Sequence, residues 1–280
     1  MSTETANERN SIGDVVRSIG FPLVTASALA SVFGIVIAQF LDDMGDGILA
    51  EILGGEAVLY NNRVEFTGAT DVAWAGGFLL TLVIGLLLLF TYPSLKGQDL
   101  SRLTFLWITI QVLRQSLAQA LMLPFGDGGD LRLAYDTFDL PPGLDWVVGA
   151  AGGVGLILVG LGAASAFLAY AAHRRKISTS RKRFLFVLWV VLVPAVASVF
   201  LAIPYFSPDA GSGVVPSLPL TAVLFLFTLA AAPGTTNVIG PETERTYPWP
   251  YGMAGTLIVL LVFYVVVLRN GVSIDPRLWG

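Results

Sequence analysis

Seven stretches of this chain are apolar over about twenty residues, and nothing else in the sequence limits its fold as tightly. They run over 21–41, 73–92, 103–123, 146–172, 184–203, 216–233 and 249–268. A hydrocarbon core about 30 Å thick takes roughly 20 residues of α-helix to cross. Lipid offers no partner to a backbone N–H or C=O, so each stretch must be a helix or a strand of a closed barrel, and the absence of period-2 alternation selects the helix. Composition agrees: 55% of the 280 residues are hydrophobic and 13% charged, with a mean hydropathy of +0.74, values that soluble domains rarely reach. The expected fold is therefore an all-α polytopic membrane protein, a bundle of six to seven transmembrane helices with a small β-hairpin after the first. A polar N-terminal segment over 1–20 precedes a single membrane domain over 21–280. The first twenty residues lack an apolar core ahead of a small-residue cleavage site, so 21–41 is expected to stay in the mature chain.

Orientation follows from the loops, because cytoplasmic loops carry the excess of Lys and Arg. With the N-terminus inside, eleven Lys and Arg fall on the inner side and four on the outer. The run "HRRKISTSRKR" over 173–183 dominates that balance. The expected location is the cell membrane, multi-pass, with the N-terminus and the 173–183 loop cytoplasmic and the lipid bilayer as the partner. A basic run beside a membrane helix is read as a topology determinant and an anionic-lipid contact, so no nucleic acid is expected. There is no cysteine and one histidine, His173, which excludes disulfides, thiolate nucleophiles and thiolate metal sites. His173 lies across the membrane from the acidic loops, so a Ser-His-Asp site joining them is excluded too.

The carboxylates gather on the other side. Asp42, Asp43, Asp46, Glu51, Glu56, Glu65 and Asp71 follow the first apolar stretch, and Asp127, Asp130, Asp136, Asp139 and Asp145 follow the third. Two acidic loops on one face are able to meet. Inside the first, "EAVLYNNRVEFTG" reads as strands over 56–60 and 63–67 joined by Asn61-Asn62, since Asn tolerates the positive φ of a two-residue hairpin turn. Such a hairpin leaves an edge to which an extended peptide is able to add as a strand. On the third apolar stretch Gln111, Gln115 and Gln119 recur every four residues with Arg114 beside them, a polar stripe on one helical face. A membrane-embedded Arg points into the bundle toward a partner, and the carboxylates near Asp42 are the candidates. The Gly- and Ala-rich fourth stretch, with Gly149 and Gly153 at small-xxx-small spacing, is expected to be a buried packing helix. Its "GAAGGVG" lies within a membrane helix without a following Lys-Ser/Thr, so it is not a nucleotide loop.

Asp42 and Asp46 are four apart, one turn on the same helical face, while Asp43 points about 100° away. That is the geometry by which H-E-x-x-H presents two metal ligands and a general base. The stretch "DDMGDGILAEILGGEAVLY", then "RVEFTG" and "AWAGGFLLTLVIGLLLL", resembles the site-2 protease family of intramembrane zinc metalloproteases over about residues 25 to 150. The resemblance implies that Asp42 and Asp46 stand at the metal-ligand positions and Asp43 at the general-base position. It further implies a third ligand from "FGDGGDL", either Asp127, which is preferred, or Asp130. Both ligand histidines are absent. Catalytic zinc sites are built on His or thiolate with carboxylate, whereas an all-carboxylate cluster suits Mg²⁺, Ca²⁺ or Mn²⁺ rather than Zn²⁺.

The expected function is accordingly a site-2-protease-like membrane protein without zinc peptidase activity. It would bind membrane-spanning or extended peptide segments near an acidic pocket able to hold a divalent cation. A second reading takes the same residues as D-D-x-x-D, the pattern by which membrane prenyltransferases hold Mg²⁺-diphosphate, with "YDTFD" (Asp136, Asp139) as the second acidic motif. The similar opening of the CDP-alcohol phosphotransferase motif fails at Glu51, where an Arg is required. A third reading is a small-solute transporter lined by Arg114 and the Gln stripe.

Overall fold

The structure, a computed structural model, describes residues 19–126, 129–138, 140–141, 143–206, 218–235 and 244–274. It is mostly helical, with one small antiparallel sheet. The helices are α1 (Phe21–Ile52), α2 (Gly76–Thr91), α3 (Leu100–Met122), α4 (Asp130–Thr137), α5 (Leu144–Leu168), α6 (Ser180–Val187), α7 (Val193–Phe206), α8 (Leu218–Ala231) and α9 (Tyr251–Val266). The strands are β1 (Glu56–Leu59), β2 (Val64–Thr67) and β3 (Val272–Ile274). Among the described residues five helices are long and apolar enough to cross a membrane: Phe21–Ile52, Asp71–Ser94, Leu144–Leu168, Ser180–Phe206 and Tyr251–Asn270. The chain is thus a helical, multi-pass membrane protein.

Two of the seven expected stretches fall outside that set. Leu100–Met122 has 23 residues, enough for about 34 Å, but its Gln and Arg side chains lower its hydropathy. Leu218–Ala231 has 14 residues, about 21 Å, less than a full span among the described residues. The stretch over 73–92 is continuous: a 3₁₀ turn (Asp71–Ala75) runs directly into α2, whose Leu79, Val83, Leu86 and Phe90 face outward.

The helix α1 is the axis of the bundle, packed against α2, α3 and α7. Its 32 residues make it about 48 Å long, longer than a hydrocarbon core. Ser27, Ser31, Gly34, Ala38 and Asp42 recur every three or four residues along its buried face, and α3 runs parallel on that face. Trp107 of α3 donates its indole N–H to Ser27 Oγ (2.8 Å) and packs against Phe167 and Phe225 at 5.1 and 5.4 Å between ring centroids. Further along, Gln111 Nε2 donates to Ser31 Oγ (3.1 Å), which is bonded to Ser198 Oγ (2.8 Å). Ser27 Oγ in turn donates to the Val190 carbonyl (2.5 Å). Pro194, four residues beyond Val190, has no N–H to offer that carbonyl, and a π turn over Leu188–Leu192 lies at the same point. Ser27 thus supplies a backbone partner that lipid cannot.

The Gly-rich helix α5 packs one face only. A Cβ on Gly152 would lie 2.7 Å from the Leu117 carbonyl oxygen, and one on Gly160 2.6 Å from the Leu224 carbonyl oxygen, so these glycines let α3 and α8 approach. Val147, Val154, Leu158 and Leu161 turn outward. The expectation of a wholly buried helix is corrected: glycine packs one side, and branched apolar residues clothe the other.

The hairpin forms in the expected register, Glu56 opposite Thr67 and Leu59 opposite Val64, and the Tyr60 N–H donates to the Arg63 carbonyl (2.8 Å) to close the turn. Its turn is anchored, with Asn61 Nδ2 donating to the Tyr205 carbonyl (3.0 Å). The second edge of β1 is taken: β3 pairs with it antiparallel, Ala57 opposite Ile274, giving the order β2-β1-β3. The edge proposed for an incoming peptide is therefore not on β1; among the described residues β2 has no strand on its outer edge.

Candidate functional site

The site lies where α1 and α3 end together. Two close approaches define it. A Cβ on Gly45 would stand 2.5 Å from the Gly76 carbonyl oxygen, and one on Gly77 would stand 2.6 Å from Asp42 Oδ1. Only glycine allows the start of α2 to lie directly on the last turns of α1. The Gly77 N–H is thereby brought to Asp46 Oδ1 at 2.6 Å.

Asp42 (2% exposed), Asp43 (7%) and Asp46 (1%) are buried, as are Gln111 and Arg114 at 0% and 4%. Asp42 accepts from Gln115 Nε2 at Oδ2 (2.8 Å) and from Gln119 Nε2 at both oxygens (3.0 and 2.9 Å). Arg114 Nε donates to Gln111 Oε1 (2.8 Å) and Nη2 to Gln115 Oε1 (3.4 Å), and its charge interacts with that of Asp42. Gln115 thus stands between cation and carboxylate, donating to one and accepting from the other. Asp43 turns elsewhere, accepting from Gln39 Nε2 (3.0 Å) and interacting with Tyr264 of α9. Its different direction follows from the 100° step per residue of a helix.

Asp130, the first residue of α4, interacts electrostatically with Asp42, Asp43 and Asp46. Burial pushes its own carboxyl up to about 6 from the ordinary 3.8. The two acidic segments expected to meet do meet. Asp127, the preferred third ligand, lies outside the described residues, as does Asp139. Asp136 is paired with Arg132 on the exposed side of α4 (2.8 Å), so the second acidic motif wanted by a diphosphate transferase is turned toward an arginine.

Among the described residues, Asp42 and Asp46 are not by themselves placed to hold the expected divalent cation of the Mg²⁺, Ca²⁺ or Mn²⁺ type, and Asp127 lies outside them. Both oxygens of Asp42 are taken by amide N–H donors and Asp46 Oδ1 by a backbone N–H. Among the described residues no group of three or more His, Cys, Asp or Glu is placed to hold a metal ion. What the arrangement offers instead is a carboxylate clamp closed by amides, buried at the meeting of three helices.

Several participants escape a reading by motif. Gln39 precedes Asp43 by one turn, a spacing that i,i+4 reasoning finds. Ser27 and Ser31 share the face of Asp42 and are legible as a polar continuation of the stripe. Gly76 and Gly77 carry no sequence signal for what they touch. No protein-family model, no curated protein and no solved structure matches the chain.

Proposed function

We propose that the chain is a site-2-protease-like membrane protein that binds membrane-spanning or extended peptide segments beside its acidic pocket and does not cut them. The carrying observation is the grip of Gln115 and Gln119 on Asp42. At the position where the resemblance puts a metal ligand, both carboxylate oxygens are engaged by amides. The layout around it supports the same reading: the D-D-x-G-D turn of α1, the glycine start of α2 and Asp130 after α3 converge, with the hairpin inserted between α1 and α2. The free edge of β2 gives an extended segment backbone groups to pair with. In this reading the bundle has six or seven spanning helices. Helix α3 spans because its polar stripe is turned inward, the N-terminus and the 173–183 loop are cytoplasmic, and the membrane is the cell membrane.

The test places a photo-crosslinking amino acid at Glu65 in β2, in protein reconstituted with a synthetic single-span peptide that carries an extended outer segment. The expected result is a crosslinked, intact peptide and purified protein without stoichiometric zinc. Peptide cleavage, or one zinc per chain, would overturn the non-cleaving assignment; absence of any crosslink would overturn the binding.

A second reading is favoured by the polar string that continues from Asp42 through Gln111 to Ser31 and Ser198. It makes Arg114 and the Gln stripe the lining of a small-solute path. Solute flux into liposomes that falls on Arg114→Gln would favour it over peptide binding.

A further inference from the structure

At the end of the bundle opposite the carboxylates, the first turn of α3, the turn after α5 and the segment leading to α9 leave several buried polar atoms without a hydrogen-bond partner among the described residues: Arg102 Nε, Arg245 Nη1 and the Tyr170 hydroxyl, with Gln98 Oε1 just before α3. Arg102 stacks its guanidinium over the Tyr92 ring at 4.7 Å and donates Nη1 to the Gly97 carbonyl (2.6 Å), but its buried Nε has no acceptor. Arg245 is held by its backbone N–H on the Ala172 carbonyl (2.8 Å), and its buried Nη1 has none either. Tyr170 is 0% exposed; its hydroxyl interacts with the Tyr92 hydroxyl and lies beside Arg102 and Tyr247, and it makes no well-formed hydrogen bond among the described residues. Tyr247 ties the group together: its hydroxyl donates to the Tyr170 carbonyl (2.9 Å) and interacts with the Arg245 side chain.

Among the described residues, the nearby carboxylates Asp99 and Glu244 make other contacts. Asp99 Oδ1 caps α3 by accepting the Arg102 backbone N–H (2.8 Å), and Glu244 pairs with Lys176 (2.9 Å). Among the described residues neither arginine has an ion-pair partner. Buried polar groups in folded proteins are almost always paired, and a guanidinium fork with an adjacent phenol matches the oxygens of a phosphate group. The place suits such a ligand: Trp249 and Phe21, 6.0 Å apart, are exposed aromatic rings at the same end, the depth at which aromatic side chains meet lipid headgroups.

We propose that Arg102, Arg245 and the Tyr170 hydroxyl form a phosphate-binding site, for a phosphate carried by a lipid headgroup or by a soluble molecule. The proposal does not depend on the acidic pocket or on peptide binding. The full chain, purified in a neutral detergent, is titrated with inorganic phosphate and separately with phosphatidylglycerol in mixed micelles. Chloride at matched ionic strength and phosphatidylcholine serve as controls, and the unfolding temperature is read. A saturable rise with inorganic phosphate assigns a free phosphate group; a saturable rise with phosphatidylglycerol alone assigns a headgroup; either supports the site if Arg102→Gln/Arg245→Gln abolishes it. Tyr170→Phe keeps the ring and its packing, so it serves even if the double variant does not fold, and it should weaken the apparent affinity about tenfold. No saturable rise with either ligand, or a rise unchanged by Tyr170→Phe and the arginine variants, would overturn the proposal.

Discussion

Asp42 takes its stability from the amides around it, and that makes its substitutions unequal. Replacing it with Leu leaves the Gln115 and Gln119 donors buried without an acceptor, at a cost of about 2–4 kcal/mol. Asp42→Asn keeps an acceptor oxygen and should cost about 1 kcal/mol. Unfolding in detergent separates the two, and equal losses would show that the amides do not grip Asp42. Asp130 behaves differently. Its folded-state carboxyl titrates at about 6 against an ordinary 3.8, so between those values the folded chain holds more proton than the unfolded one. Its contribution is therefore most favourable below pH 3.8 and is lost as pH rises through about 6. Asp130→Asn should match the parent in stability near pH 3.8 and exceed it above pH 6; a difference that does not vary with pH would contradict the burial of this carboxyl.

Among the elements, the Ser198-containing helix shows how a bundle in lipid repairs its own defects. Pro194 deprives the Val190 carbonyl of its usual donor, and Ser27 on α1 replaces it. Ser27→Ala alone should cost about 1–2 kcal/mol. In a Pro194→Ala background, where a backbone N–H returns, the same change should cost less, and a double-mutant cycle measures the difference. Equal costs in both backgrounds would mean that Ser27 matters through Trp107 rather than through the carbonyl. The hairpin teaches a related point. Its register was legible because the Asn61-Asn62 turn fixes pairing locally. The third strand was not, because Val272–Ile274 has three residues and pairs with a segment more than 200 residues earlier. No local pattern encodes such a pairing.

For the whole molecule, the proposed orientation is open to direct labelling because the chain has no cysteine. Glu56 and Asp136 are exposed at the end bearing the acidic site, and Ser178 is exposed in the basic loop. Single cysteines at 56 and 136 should react with a membrane-impermeant maleimide from one side of sealed vesicles, and one at 178 only from the other. Labelling of all three from one side would refute the orientation.

By itself the sequence determined the helical membrane class, the apolar segments, the hairpin and the two acidic segments, because each rests on periodicity, length or turn chemistry within one stretch of chain. It also marked Arg114 and the Gln stripe as turned toward the carboxylates. Only the tertiary structure decided that Asp42 is held by amides, that Gly77 carries the N–H to Asp46, and that the Tyr170 hydroxyl lies beside Tyr92, Arg102 and Tyr247. Those are matters of distance between side chains from separate helices. Helix phase sets which way a residue points, but the close approach permitted by glycines on neighbouring helices sets what it meets.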